Sequence, residues 1–158
     1  MSKWIGMIVA CAAAASLGGC KNKHVESITY QTGPCFGTCP VYTVTVHSNG
    51  QGVFTGQAHT TVTGQQNFTV TAAQYQAFVN HLAPIRPASG TVRYDFQSGN
   101  CTGGFATDLP SADVKWHTFG GQQQELFLNY GCRFANSTAM AQRLSAAPAL
   151  LPIGSFIH

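Results

Sequence analysis

Five cysteines carry most of the chemistry this 158-residue chain can offer: Cys20, Cys35, Cys39, Cys101 and Cys132. Cys35 and Cys39 enclose three residues in Cys35-Phe36-Gly37-Thr38-Cys39-Pro40-Val41-Tyr42. Thiol oxidoreductases place two residues between their cysteines and set the pair at a helix N-terminus, which lowers the thiol pKa. Here the spacing is longer and a strand pattern follows. That favours a structural staple over a redox pair. Gly37 permits a tight turn, Pro40 fixes φ at the start of the strand, and Phe36 and Tyr42 are expected to pack around the sulfurs. The remaining candidates are weaker. His24, His47, His59, His81, His117 and His158 show no metal-ligand spacing. His47 and His117 are placed to meet only if their strands are neighbours. Ser111 between Asp108 and Asp113 lacks a nucleophile-elbow context. Asp95, Asp108 and Asp113 do not form a calcium loop. Gly103-Gly104 is too little for a phosphate cradle. No catalytic residue, metal ligand or cofactor site is assigned from the sequence.

Cys20 follows a different kind of segment. Lys3 is followed by a short apolar or small-residue run, Trp4 to Ala15, and then by Leu17-Gly18-Gly19-Cys20. The run is shorter than the roughly 20 residues of a spanning helix. It has the form of a secretory signal. Leu-x-Gly-Cys resembles the lipobox of bacterial lipoproteins, in which the cysteine is acylated and becomes the mature N-terminus. Residues 1–19 are therefore expected to be a signal peptide, residues 20–27 a lipidated tether and residues 28–158 one globular domain. Cys11 would leave with the signal. Lys21 is not the Asp that holds lipoproteins at the inner membrane, so the resemblance implies an outer-membrane address facing the periplasm. An oxidising compartment and four remaining cysteines imply two disulfides. Three connectivities are open. Cys35–Cys39 with Cys101–Cys132 is favoured, the second bond adding roughly 3 kcal/mol.

Charged residues make up only 8% of the chain, and the net charge is +3. Nucleic-acid binding needs clustered Lys and Arg, so that class is excluded as a partner. The surface must instead be built from Thr, Gln, Asn, Ser and Gly.

The elements that hold the cysteines follow from periodicity. Ile28–Gln31 reads as a first strand. Tyr42, Val44 and Val46 alternate with Thr43, Thr45 and His47, a half-buried strand. Asn49-Gly50 is a hairpin signal, with Gly52–Ala58 returning. Thr60–Val62 and Asn67–Val70 suggest a further strand or hairpin around Gly64. Thr71 and Gln74 make a capping box, with Val70 and Tyr75 as its staple. Ala72, Tyr75, Phe78, Val79 and Leu82 form one helical face, which Pro84 ends. Residues 85–111 read as a long loop with strand pieces near Thr91–Phe96 and Cys101 as its anchor. Asp113–Phe119 and Gln124–Tyr130 form a hairpin about Gly120-Gly121. A second helix spans about Thr138–Ala147, with Met140, Leu144 and Ala147 inward and Pro148 as its stop. The apolar tail, residues 150–157, is expected to dock. Tyr42, Phe54, Phe68, Phe78, Trp116 and Phe127 are assigned to the core. The fold class is α+β: a mostly antiparallel sheet of five to seven strands with two helices packed on one face.

The Cys35–Tyr42 stretch, with its strand and hairpin, resembles an uncharacterised family of bacterial secreted and lipid-anchored domains. Its members carry C-F-G-x-C-P-x-Y, a strand, a glycine turn and a second strand ending in T-G or Y-G, here Thr55-Gly56. The resemblance covers residues 28–83, and more loosely Thr107-Asp108-Leu109-Pro110. It implies a shared fold, an envelope address and no assigned activity. The sequence thus predicts a lipid-anchored envelope protein with a non-enzymatic binding or structural role. Its expected partners are the membrane, through the lipid, and an envelope protein. The competing class is an envelope enzyme, either a hydrolase built on the Asp residues or a thiol redox protein using Cys35 and Cys39.

Overall fold

A computed structural model describes residues 25–158. Cys20 and the expected signal and tether up to residue 24 lie outside the described residues. Seven strands form one sheet: β1 (Val25–Thr32), β2 (Val41–His47), β3 (Gln51–Ala58), β4 (Gly64–Thr69), β5 (Gly90–Tyr94), β6 (Ser111–Thr118) and β7 (Gln123–Asn129). Their order is β4-β3-β2-β1-β6-β7-β5. All pairings are antiparallel except β5 with β7. The helices are α1 (Ala72–Leu82), α2 (Ser137–Ala146) and a short α3 (Gly154–Ile157). The fold is α+β.

The first strand begins at Val25, three residues before the expected Ile28, because pairing with Thr118 of β6 holds the chain there across a bulge. Alternation sets the two faces of the sheet. Tyr30, Tyr42, Val44, Val46, Phe54, Val114, Trp116, Leu126 and Leu128 are buried against the helices. Their neighbours along each strand are half-exposed on the other face. The hairpin after β2 turns on Gly50 at φ +87°, with the Gly50 amide donating to the His47 carbonyl. Asn49 does not take positive φ; its Oδ1 accepts from the Gln51 amide in a local turn.

The capping box is formed: Thr71 Oγ1 accepts from the Gln74 amide and Gln74 Oε1 from the Thr71 amide. Tyr75, Phe78 and Leu82 face the core, whereas Ala72, in the first turn, is exposed. Pro84 ends α1 by starting a 3-10 turn, Ala83–Ile85. Helices α1 and α2 are clamped reciprocally. Arg143 Nη1 donates to the His81 carbonyl (2.8 Å), and His81 Nε2 lies 2.7 Å from the Arg143 carbonyl, which fixes that nitrogen as the protonated one. The tail docks as expected, with Leu151, Ile153 and Ile157 buried.

The core assignment of Phe127 is corrected. Phe127 is not a core residue. It lies on the open face, where the Arg93 guanidinium covers its ring at 4.1 Å. His47 and His117 share a row of that face but sit two strands apart, with Ser27 between them.

The Thr55-Gly56 pair has a steric reason. A Cβ on Gly56 would fall inside the carbonyl oxygen of Val62, in the β3–β4 connection, and close to Thr60 Oγ1. Both groups are already fixed: the Thr60 hydroxyl donates to the Val62 carbonyl, and the Val62 amide donates to the Phe156 carbonyl in the tail. Gly56→Ala is therefore expected to cost about 2–3 kcal/mol, read as a lowered midpoint in denaturant unfolding. An unchanged midpoint would refute the steric account.

Asp113 stands on the open face with Oδ1 buried and without a hydrogen-bond partner. Burial pushes its carboxyl above the usual range, Glu125 adds to this, and Lys115 and Arg93 oppose it. The folded chain therefore holds this proton more tightly than the unfolded chain. Ionised Asp113 costs stability as pH rises through the raised folded-state pKa, and below the unfolded value of about 3.9 the cost is absent. Asp113→Asn should raise Tm by about 2 °C at pH 7. That gain should vanish in melts below about pH 4.

Candidate ligand pocket

The segment between β1 and β2, residues 33–40, is closed by the Cys35–Cys39 disulfide, with Cα atoms 5.8 Å apart. Gly37 supplies the turn at φ +138°, a conformation that side-chain-bearing residues avoid. The Phe36 amide donates to the Asp108 carbonyl at 3.1 Å, which ties this loop to the 107–110 loop. Pro40 has no N–H for the ladder. Thr32 compensates: its hydroxyl donates to the Pro40 carbonyl at 2.8 Å and accepts from the Tyr42 amide at 3.0 Å.

At this end of the sheet, on its helical side, lies a pocket of about 400 Å³. The sheet contributes Tyr30, Thr32 and Tyr42. The loops contribute Cys39, Pro40, Pro110, Ser111 and Tyr130. The last helical segments contribute Ser145, Pro148, Ala149, Gly154, Ile157 and His158. Among the described residues no Asp, Glu, Lys or Arg side chain lines it, and His158 is its one imidazole.

Its polar groups are mainly hydroxyls. The Tyr30 hydroxyl donates to the Leu144 carbonyl at 3.0 Å. Tyr130 shares a side-chain hydrogen bond with Tyr30. Burial pushes the phenols of Tyr30, Tyr42 and Tyr130 above the usual tyrosine range; for Tyr30 and Tyr42 the neighbouring phenols add to the effect, and for Tyr130 the bond to Tyr30 opposes it. All three stay protonated at neutral pH. They offer neutral donors and acceptors, not an acid–base pair. The Ser145 hydroxyl donates back to the Gln142 carbonyl of its own helix.

The sheet wall is held from behind. Tyr30 stacks on Tyr42 (centroids 6.5 Å apart) and Tyr42 on Phe54 (5.3 Å). Phe54 meets Phe156 of α3 at 5.5 Å, and Phe156 meets Phe68 of β4 at 6.2 Å. Such pairs contribute about 0.5–1.5 kcal/mol each beyond burial.

The sequence candidates divide accordingly. Cys39, Pro40 and Tyr42 reach the pocket. Phe36 does not pack around the sulfurs; it is 89% exposed, because its amide bond to Asp108 turns the residue outward from the ring. Asp108 serves through its carbonyl, at φ +68°, while its carboxylate accepts only from the neighbouring Thr107 hydroxyl. Cys101 and Cys132 form the second disulfide, Cα atoms 5.0 Å apart. It fastens the 95–105 loop beside an isolated bridge from Phe105 to Cys132. Among the described residues no three His, Cys, Asp or Glu side chains converge on a metal site. Ser111 and His158, weighed in the sequence for other chemistry, also line the pocket, whereas Tyr30, Thr32 and Tyr130 were not singled out, since nothing in their local pattern differs from ordinary strand and loop positions.

A family model described as a domain of unknown function, DUF6438, matches residues 26–147. The chain belongs to this family. No curated protein and no solved structure matches it. The DUF6438 match takes in all seven strands, the disulfide loop and α2, hence the sheet and loop walls of the pocket. The wall made by Pro148, Ala149, Gly154, Ile157 and His158 lies beyond it.

The two disulfides close loops of different length, with separations of 4 and 31 residues. Chain entropy assigns about 2 kcal/mol to the short ring and about 3.7 kcal/mol to the long loop. Denaturant unfolding of the two double Cys→Ser variants should show losses in that order. A larger loss for the short ring would mean that it acts through native contacts in the loop.

Proposed function

We propose that this protein is a lipid-anchored bacterial envelope protein that works as a non-enzymatic binding module, with the Tyr30–Tyr42–Tyr130 pocket as its site. The observation that carries this reading is the pocket's chemistry. Ligand sites are concave and mostly apolar, with a few placed polar groups. This one has apolar and aromatic walls, three neutral phenols, the hydroxyls of Thr32, Ser111 and Ser145, the His158 imidazole, and among the described residues no Asp or Glu side chain. The anchoring half rests on Leu17-Gly18-Gly19-Cys20.

The two halves fit together spatially. The described chain starts at Val25, and the pocket lies at the Thr32 end of the same strand. Seven residue steps place these ends about 23 Å apart. Five residues join Cys20 to Val25, at most about 18 Å of chain. A lipid on Cys20 would therefore hold the Val25 end within about 18 Å of the bilayer.

The experiment has two arms in the producing cell. Cys20→Ala should abolish incorporation of labelled fatty acid. Benzoylphenylalanine at Ala149, on the pocket wall, should give a cross-linked product, while the same group at Thr45, on the open sheet face, should not. Fatty acid retained by Cys20→Ala sinks the anchor. Equal cross-linking at both positions, or none at Ala149, sinks the binding site.

A further inference from the structure

The two edges of the sheet are finished differently. At β5 the Arg93 carbonyl is taken by Asn100 Nδ2 at 2.6 Å, and the Arg93 side chain adds a charge. Covering groups, charges, prolines and bulges are the usual ways of blunting an edge. The β4 edge has none of them. Gly64–Thr69 contains no charged residue and no proline, and it pairs with β3 without a register shift. Between Glu26 and Arg86 the sequence holds no Asp, Glu, Lys or Arg, and β2, β3, β4 and α1 all fall within that stretch. The phase of the ladder decides which backbone groups of β4 face outward. The Val70 amide donates to the Gly50 carbonyl at 2.9 Å, so even-numbered residues here turn toward β3. The N–H and C=O of one residue point the same way and alternate along an antiparallel strand. Gly64, Gln66 and Phe68 therefore bond β3 through Gly56, Phe54 and Gly52. Gln65, Asn67 and Thr69 turn theirs away from the sheet. Among the described residues, the one bond on that side runs from Gln66 Nε2 to the Asn67 carbonyl, at 3.3 Å.

We propose that β4 is a self-pairing edge: a second copy of this chain adds its own β4, antiparallel, about a two-fold axis at Asn67. Residues that face each other across antiparallel strands share a face of the sheet. A two-fold perpendicular to the sheet must therefore pass at a residue and not between two. An axis at Asn67 sets Asn67 opposite Asn67 of the second copy, and Gln65 opposite its Thr69, in both directions. Every outward-turned residue then lies in a hydrogen-bonded pair, and the copies exchange about six backbone bonds. An axis at Gln66 or at Phe68 would leave Thr69 or Gln65 opposite no strand residue. On the helical face the Asn67 axis sets Gln66 against Phe68, whose half-buried ring already rests on Phe156 at 6.2 Å. The charge-free stretch favours a second copy over a foreign strand. Two identical neutral surfaces meet without like-charge repulsion, whereas a charged strand finds no complement here. The contact is isologous and closes on itself, so each β4 covers the other and leaves no edge on that side for further growth.

The test is sedimentation equilibrium of the full-length protein in density-matched detergent. The wild type should form a concentration-dependent dimer. Asn67→Lys and Asn67→Asp each set like charges opposite one another at the axis, and each should weaken the dimer at least about 10-fold. An equimolar mixture of the two variants should restore it, because Lys then faces Asp. Harm done to the fold would not be rescued by mixing. Asn67 is exposed, and its side chain gives up only the bond from Gln65 Nε2, so both variants keep the buried contacts of the monomer. Far-ultraviolet circular dichroism checks this. Thr91→Lys, at the opposite edge, should leave the dimer unchanged. A wild type that stays monomeric overturns the proposal. So does a dimer indifferent to both Asn67 variants, a mixture no stronger than either variant alone, or a dimer weakened as much by Thr91→Lys. Assembly beyond two copies overturns it as well, since a two-fold pair closes.

Discussion

The hydrogen bond from the Tyr30 hydroxyl to the Leu144 carbonyl joins the central strand to the last turns of α2 across 114 positions of chain. Tyr30 is fully buried. A buried phenol left without a partner costs about 1–3 kcal/mol. The bond therefore fixes how closely α2 sits over the end of β1. Leu144 is itself buried and carries the helix at that point into the 3-10 turn Ala147–Leu150. Beyond this contact the cover over the sheet is made by that turn and by the short α3 of the tail. That cover is incomplete, and the gap it leaves is the pocket. Stability and site thus depend on one geometry: the same tyrosine that seats the helix also walls the cavity.

A one-sided sheet makes that arrangement possible. Its helical face is continuous core, while its other face exposes rows of Thr, Gln, Ser and ionic side chains. Arg93 lies over Phe127 and close to Asp95 and Glu125 (3.0 and 3.5 Å), with Lys115 near Asp113 (3.6 Å). Exposed pairs of this kind contribute about 0–1 kcal/mol each. They keep the open face soluble more than they hold the fold. Large apolar side chains stay exposed at several places: Phe36 and Leu109 beside the pocket, Phe96 in the 95–105 loop and Phe119 at the turn after β6.

Much of the fold was legible because local signals agreed with the tertiary result. The Tyr42–Val44–Val46 alternation gave the strand and its inward face. Thr71 and Gln74 gave the start of α1, Pro84 its end and Pro148 the end of α2. Gly50 gave the hairpin, although Asn49 contributes an Asx bond in place of the positive φ expected of it. Three points were missed. The parallel pairing of β5 with β7 depends on a long crossover and on the Cys101–Cys132 clasp, and strand periodicity carries no sign of direction. Phe127 was assigned to the core as an aromatic residue, but Leu126 and Leu128 on either side of it take the inward face, so alternation puts its ring on the open one. Phe36 looked like packing for a sulfur until the backbone of Asp108 claimed its amide. The pocket was invisible for a simpler reason. Tyr30, Tyr130 and Ile157 are ordinary strand, loop and tail residues until the chain brings them together.

The C-F-G-x-C-P-x-Y stretch can now be divided by physical role. Gly37, Cys35 and Cys39 close and pin the turn. Pro40 ends the ladder, and the Thr32 hydroxyl, from the opposite strand, donates to the Pro40 carbonyl and accepts from the Tyr42 amide. Tyr42 belongs to the aromatic stack running from Tyr30 to Phe156. None of these roles requires Phe36 to be aromatic. A phenylalanine held in water exposes a large apolar area, and burial of such a side chain stabilises by about 1.5–3 kcal/mol. The fold forgoes that gain at Phe36 while spending a disulfide to hold the loop that displays it. Closing, pinning and packing the loop account for the other residues of the stretch, whereas the Phe36 ring is left 89% exposed.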